Sequence, residues 1–304
     1  MLSIQSCPNF PSAKNSVNIL AVHELEATDN ISGILKILGN YGVMLIAFAA
    51  FHFSLWLYPL VWVLMGSRLR ALENLTHEAS HRQLFRNSFL NNWVASFFCA
   101  FVTHSSLWNY RKAHQEHHLY LGDPGRDPDL AKYGQLPLPH SQKVKQLLAV
   151  FTGTYDLKAN LMDFLRCFMH PASVTELLAR LLFWLVLFSL LTISNGWWDF
   201  LWLYVVPFLT SYRTIRQLVD MSEHILDSEV PYHTRNVMCN PILRFLLYPH
   251  GDYLHLLHHM YPAIPGNKLL QAHQLLQSEP EYTKISPFNS YFFGKDSVLS
   301  SAFK

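Results

Sequence analysis

The run GVMLIAFAAFHFSLWLYPLVWVLM, Gly42–Met65, contains no Asp, Glu, Lys or Arg. About 20 apolar residues suffice to cross a bilayer, so this stretch fits one long tilted span or two short ones meeting near Ser54–Pro59. We read two. A second apolar pair is sharper: ELLARLLFWLVLFSLLTI (176–193) ends at Ser194-Asn195-Gly196, and WWDFLWLYVVPFLTSY (197–212) follows at once, as in a transmembrane hairpin. Between them LNNWVASFFCAFVTHSSLW (90–108) is diluted by Asn91, Asn92, Thr103 and His104, and reads as a re-entrant or interfacial helix.

The whole chain agrees with a membrane setting. Half of its 304 residues are hydrophobic and 14% are charged, where soluble domains carry about 25% charged residues. A formal net charge of +2 without a basic block gives no footprint for nucleic acid. Cys7, Cys99, Cys167 and Cys239 lie far apart, outside any zinc or iron–sulfur spacing, and read as isolated reduced thiols. Residues 1–32 lack the basic start and apolar core of a signal peptide and read as a mobile arm; 33–275 read as one membrane domain and 276–304 as a C-terminal tail. Gln142–Met169 reads as one or two amphipathic helices on the membrane surface. If both hairpins cross and return, Arg68, Arg70, Arg82, Arg86, Arg111, Lys112, Arg213, Arg216 and Arg235 share one side, which the positive-inside rule makes cytosolic. The expected fold is all-α: about four transmembrane helices in two hairpins under a cytosolic helical cap. Trp56, Trp62, Trp108, Trp197 and Trp198 read as interface anchors.

Histidine is the anomaly, at seventeen residues. His77-Glu78-Ala79-Ser80-His81 sets two imidazoles four apart, on one face of a helix. His114-Gln115-Glu116-His117-His118 and His255-Leu256-Leu257-His258-His259 repeat that spacing and add an i+3 member. Any one box is ordinary on an amphipathic helix; three on one side of a membrane point to a metal centre. Imidazole suits iron, zinc, copper and nickel alike. A catalytic zinc takes three protein ligands and a water, so eight box histidines imply two metals. Asp123, Asp127 and Asp129, after the second box, read either as acceptors for the boxes' free N–H groups or as a solvated turn. His23, His52, His104, His140, His170, His233 and His273 match no box and read as surface, interfacial or loop residues. HEASH also satisfies HExxH, which would make Glu78 the general base of a membrane zinc protease; that reading leaves the other six box histidines idle. A metal transporter is disfavoured because the boxes lie outside the spans.

From Ile34 to His273 the chain resembles the membrane fatty acid desaturase and hydroxylase family. The resemblance rests on HEASH, HQEHH and HLLHH in that order, the two hairpins, GRDPDL after the second box and HHMYPAIP after the third. It implies two iron ions (Fe2+) held by histidines alone, with O2 as co-substrate. The reaction it implies is insertion of a double or triple bond into an acyl chain carried as a lipid, acyl-CoA or acyl-carrier protein, in a tunnel formed by the spans. Hydroxylation or ketolation of an acyl or isoprenoid chain is the alternative on the same centre. The family's ninth histidine falls on His224, and its polar residue ahead of the third box falls on Asp252, with His250 as rival; Glu78 and Asp127 are further outer contacts. The first box, HxxxH, and Leu257 in the third depart from some branches and leave the subfamily open. No flavin, haem or cytochrome b5 motif is present in the sequence, so electrons are expected from a separate ferredoxin or cytochrome b5 with its reductase.

Overall fold

A computed structural model describes residues 17–133, 139–151, 170–225 and 230–303, with single positions 158, 161, 162 and 165. In chain order the helices are α1 (Val17–Glu24), α2 (Ile31–Phe53), α3 (Tyr58–Ser80), α4 (Ser88–Ala95), α5 (Leu107–Tyr120), α6 (Leu130–Tyr133), α7 (Lys143–Phe151) and α8 (Val174–Ile193). They continue as α9 (Trp197–Phe200), α10 (Val206–Leu209), α11 (Ser211–Glu223), α12 (Pro241–Leu246), α13 (His255–Met260), α14 (Leu269–Leu276), α15 (Pro280–Thr283) and α16 (Val298–Ala302). Among the described residues there is no strand, only two isolated bridges, Val237 with Phe288 and Ser290 with Ser297. The fold is all-helical.

Two helices, α2 and α8, are long and apolar enough to cross a membrane by length and composition. Only 28% and 17% of their most apolar windows are buried inside the protein, so their side chains face outward rather than into a core. Leu45, Ile46, Phe53, Leu55, Leu182, Leu185 and Ile193 are among the exposed apolar residues. The segments expected as return legs fall outside this pair. In α3 only the first third is apolar, and the helix continues without a break through Arg68, Arg70 and Glu73 to the first box. The second return leg runs from α9 through a π-turn, Leu201–Val205, into α10 before Thr210 breaks it. The two hairpin tips are neighbours: His52 Nε2 lies 3.2 Å from Asp199 Oδ1, and the Tyr58 hydroxyl donates to the Trp202 carbonyl at 3.1 Å.

The segment read as re-entrant is α4 followed by a π-turn, Ser96–Ala100, that turns back at Phe101–His104. Asn87 caps α4 by accepting from the N–H groups of Phe89 and Leu90. Thirteen residues at 1.5 Å each reach about 20 Å, short of the ~30 Å hydrocarbon layer. His104, at the end of this segment, is buried against Trp184, Tyr204 and Phe208. It sits in a loop, as its sequence suggested, but not at a surface.

α3 and α11 cross closely because Gly66 has no side chain; a Cβ there would meet Ser211 Oγ at 2.3 Å and the Tyr212 nitrogen at 2.6 Å. The largest core lies beyond that crossing and gathers Leu218, Val219, Tyr248, Leu254 and Leu257 with residues from both chain ends. Val22 of α1 belongs to it, so 17–24 of the expected arm form a packed helix; residues 1–16 lie outside the described residues. Tyr282, Tyr291, Val298 and Phe303, from the segment 276–304, pack into the same core. Within Gln142–Met169, α7 is helical and most of the remainder lies outside the described residues, as do Cys7 and Cys167. Cys99 and Cys239 are buried free thiols.

Candidate metal centre

Four chain segments deliver the histidines. His77 is on the last turn of α3 and His81 follows at its C-cap. α5 carries the second box, its N-terminus capped by Ser106, which accepts from the Asn109 N–H at 3.2 Å. His224 is the first extended residue after α11, at φ −137°. α13 carries the third box, introduced by a turn in which His250 (φ 61°) and Gly251 (φ 94°) are left-handed. A Cβ on Gly251 would lie 2.5 Å from the Gly266 carbonyl oxygen, so the two backbones touch there.

A helix advances about 100° per residue, so in HxxHH the first and last imidazoles nearly align while the middle one diverges. The structure divides the boxes on that basis. His114 and His118 join His77, His81 and His258, with ligand atoms all within 4.8 Å of one another. His117 joins His224 and His259 in a second group, and His255 Nε2 lies 3.1 Å from His224 Nε2. Box two therefore gives its outer pair to the first group and its middle residue to the second; box three does the reverse.

Spacing within the groups would suit shared coordination of an ion. His114 to His118, His118 to His258 and His258 to His77 have Nε2–Nε2 separations of 3.0, 3.2 and 3.0 Å. His117 Nε2 and His224 Nε2 are 3.1 Å apart. Two nitrogens each ~2.1 Å from one octahedral ion are about 3.0 Å apart. His81 Nε2 and both ring nitrogens of His259 are buried without a hydrogen-bond partner.

The tautomers sharpen this. His117 Nδ1 lies 2.9 Å from Asp127 Oδ1, and His224 Nδ1 lies 3.1 Å from the Tyr232 carbonyl oxygen. A carboxylate and a carbonyl only accept, so both Nδ1 atoms donate. Burial pushes the His224 imidazole well below its ordinary range and keeps it neutral. With the His117 ring neutral as well, two Nε2 lone pairs face each other at 3.1 Å, an arrangement a shared cation satisfies and a hydrogen bond does not. Burial lowers His77, His114, His118, His255, His258 and His259 likewise, and His81 to about 4. Neutral imidazole is the ligating form. The residues present fit a pair of metal ions.

The outer contacts expected from the sequence separate into distinct roles. Burial alone would raise the Asp127 carboxyl, but Tyr133, the Gly122 N–H and His117 all donate to it and hold it below the usual carboxylate range. Asp127 is therefore the acceptor that orients His117, while Asp123 pairs with Arg126 on the surface. Asp252, Glu223 and His255 also bring ligand atoms together. Arg70 occupies that position, at 2.6 Å from Asp252 and 3.1 Å from Glu223, so the positive charge between these carboxylates is a guanidinium. His250 belongs to neither group: its Nε2 accepts from Asn40 Nδ2 at 2.9 Å, and burial lowers the imidazole to about 3. Glu78 also stands outside both groups; its Oε1 lies 2.5 Å from Lys36 Nζ and accepts from the Gly266 N–H at 3.2 Å. That engagement removes it from the general-base position of a protease. Sequence reasoning missed Lys36, Asn40, Arg70 and Tyr133; a lone lysine within an apolar helix was the available signal.

Two cavities are relevant. One of about 580 Å³, walled by apolar and aromatic side chains including Ile37, Tyr41, Phe98, Trp184 and Tyr204, lies between α2, the α4 segment, α8 and the π-turn. No candidate ligand lines it. A polar cavity of about 50 Å³ touches both groups, with Glu73, Tyr110, Asp129 and Asp220 in its wall beside His77 and His114 of the first and His117, His224 and His255 of the second.

An all-helical protein with nine histidines, six buried and three half-buried, divided between two convergent groups is a candidate dinuclear metalloprotein. Comparison with known proteins places it more narrowly: residues 42–290 match the fatty acid desaturase family model, and the chain belongs to that family. It is 30% identical over 288 residues to the dihydrorhizobitoxine desaturase of Bradyrhizobium elkanii, covering 85% of this chain and 79% of that protein. It is 23% identical over 257 residues to the sn-1 oleoyl-lipid 12-desaturase of Arthrospira platensis, covering 75% and 69%. A shorter match, 33% over 97 residues, is to a Delta(5) fatty acid desaturase of Caenorhabditis elegans, covering 32% and 21%. Family and relatives mark the chain as a desaturase-type oxidoreductase.

Proposed function

We propose that this chain is an integral-membrane, di-iron, O2-dependent desaturase that converts a –CH2–CH2– unit of an acyl chain to –CH=CH–. The carrying observation is the facing pair of lone pairs on His117 and His224, each imposed by a donor commitment on the far side of its ring. His77, His81, His114, His118 and His258 would hold one iron, and His117, His224, His255 and His259 the other. When bound, the irons supply the activation of O2 that no polar side chain can provide. The balance is RCH2CH2R′ + O2 + 2e⁻ + 2H⁺ → RCH=CHR′ + 2H2O, with the two electrons from a ferredoxin or from cytochrome b5 and its reductase. The chain's own residues prepare the ligands: Asp127 retains the proton on His117 Nδ1, the Tyr232 carbonyl retains that on His224 Nδ1, and burial keeps the His224 imidazole neutral with its Nε2 free to ligate. Desaturation is favoured over hydroxylation or ketolation because the relatives named above are desaturases.

The geometry also supports a four-span reading in which α2, the first part of α3, α8 and the α9–α10 leg cross the bilayer. From Tyr58, beside the joined hairpin tips, α3 rises about 29 Å to His77, one hydrocarbon thickness. The centre would then lie at the opposite, arginine-rich surface, which the positive-inside rule assigns to the cytosol. Trp56 and Trp198, exposed at the tips, suit interface anchors. The cavity between α2, α4 and α8 has the apolar walls a hydrocarbon tail needs.

The test is iron content together with turnover. The purified, iron-loaded chain is given O2, a reducing system and acyl-lipid, acyl-CoA and acyl-carrier substrates, and products are resolved by mass. Two irons per chain and a loss of two mass units from one substrate are expected. One zinc per chain with O2-independent peptide cleavage would refute the reading, and a gain of sixteen mass units would replace desaturation with hydroxylation.

A further inference from the structure

Lys36 is an anomaly that desaturase chemistry does not require. It is the one lysine, arginine or carboxylate residue in α2, and its side chain is only 10% exposed. Its ammonium lies 2.5 Å from Glu78 Oε1, and Glu78 is itself 6% exposed. A buried ammonium and a buried carboxylate are each costly alone and offset one another when paired. The same Glu78 oxygen accepts from the Gly266 N–H, and Gly266 is the residue whose backbone abuts the turn at His250 and Gly251. One turn along α2, Asn40 donates to His250 Nε2 while its own oxygen accepts from Arg68 at 3.1 Å. Positions 36 and 40, on one face of α2, thus grip the residue beside His77 and the turn that leads into α13. Box one and box three meet just beyond this grip, where His77 Nε2 and His258 Nε2 are 3.0 Å apart.

We infer that Lys36 is a positioning residue for the first metal: through Glu78 and the Gly266 N–H it fixes the separation of boxes one and three. This rests on the two-metal reading above. Lys36 is in neither ligand group, and its effect passes entirely through Glu78 and the Gly266 strap. Loss of a group bonded directly to a metal ligand commonly lowers metal affinity roughly tenfold to a hundredfold; Lys36 and Glu78 bond no ligand themselves, so a smaller loss, up to about tenfold, is expected of them.

The experiment is a cobalt(II) titration of the detergent-solubilised full chain, followed by its d–d absorption bands, with the thermal midpoint of the metal-free protein measured alongside. The unsubstituted chain is expected to bind two cobalt ions tightly. Lys36→Met and Glu78→Gln are each expected to leave one tight ion and weaken the other by up to about tenfold, with altered bands for the weakened site. Lys36→Arg should restore both affinity and bands, and the double variant should lose no more than the worse single one, because the two residues act as a pair. A lower thermal midpoint with unchanged affinity and unchanged bands would show a merely structural pair and overturn the inference. So would an effect of Glu78→Gln that Lys36→Met does not share. If the unsubstituted chain binds no metal, the two-metal reading fails and this inference with it, a result distinguished by appearing before any substitution is made.

Discussion

Asp127→Ala is the most informative change at the second group. The carboxylate accepts from four donors: His117 Nδ1 at 2.9 Å, the Gly122 N–H at 2.9 Å, the Asp129 N–H at 2.9 Å and the Tyr133 hydroxyl. Removing it frees His117 to place its proton on Nε2, the atom that faces His224. It also strands buried donors at about 1–3 kcal/mol for each one left unsatisfied. Gly122 keeps a partner in the Tyr133 oxygen at 3.0 Å, so the stranded set is His117, the Asp129 N–H and the Tyr133 hydroxyl, which loses its own acceptor. The expected outcome is a roughly tenfold to hundredfold loss in affinity for one of two metals, about 1.4–2.7 kcal/mol, with a fall of at least about 3 kcal/mol in the stability of the metal-free protein. Asp127→Asn keeps an acceptor toward His117 if its oxygen replaces Oδ1, and should lie near the lower end of the affinity loss. Cobalt titration measures the affinity, and 15N shifts of the His117 ring report the tautomer. Full affinity for both metals in Asp127→Ala, with Nδ1 of His117 still protonated, would refute the account of the second group.

His224→Ala should reduce the tightly bound metals from two to one, as counted by elemental analysis, because His224 joins His117 to His255; retention of two would exclude it as a ligand. The metal-free protein should lose stability as pH falls below about 6.5. Imidazoles take up protons there in the unfolded chain but resist them when folded, down to about 4 at His81. Stability is therefore full above 6.5 and falls by about 1.4 kcal/mol per pH unit for each such imidazole until its folded pKa is reached, which denaturant titrations from pH 7 to 4.5 would measure; a flat profile contradicts neutral buried ligands. Gly66→Ala should destabilise by about 1–3 kcal/mol, since its Cβ would meet the Tyr212 backbone nitrogen at 2.6 Å. An unchanged thermal midpoint would show that α3 and α11 have room to separate.

The three boxes were legible because helical spacing is local: four residues bring two imidazoles to one face whatever the tertiary fold. Their division into two groups was implicit in HxxHH, but which group each joins depends on how α3, α5 and α13 meet. His224 was legible only by resemblance, since a single histidine after a helix carries no periodic signal. Lys36 and Glu78 are paired across forty-two positions, and Arg70 reaches Asp252 across 182; no pattern in either neighbourhood encodes the partner. The apolar content of α2 and α8 announced two candidate spans plainly. The return legs were harder, because α3 turns polar partway along and the π-turn after α9 interrupts the other leg. His104 shows the reverse difficulty: flanked by Thr103 and Ser105 it reads as a polar loop, yet it is covered by aromatic rings from α8, the π-turn and α10.

α3 runs without a break from Tyr58, beside the hairpin tips, to Ser80 in the first box. A helix of that length acts as a gauge block, with its far end set at a fixed height above its near end. On the four-span reading proposed above, a bilayer thicker or thinner than the block could not move the histidines relative to Tyr58; it would tilt the whole assembly or gather lipid around it. The depth at which a chain presents its reacting carbons would then follow from residue count along one helix, and inserting a single residue between Leu60 and Met65 would rotate His77 by about 100° as well as raise it by about 1.5 Å.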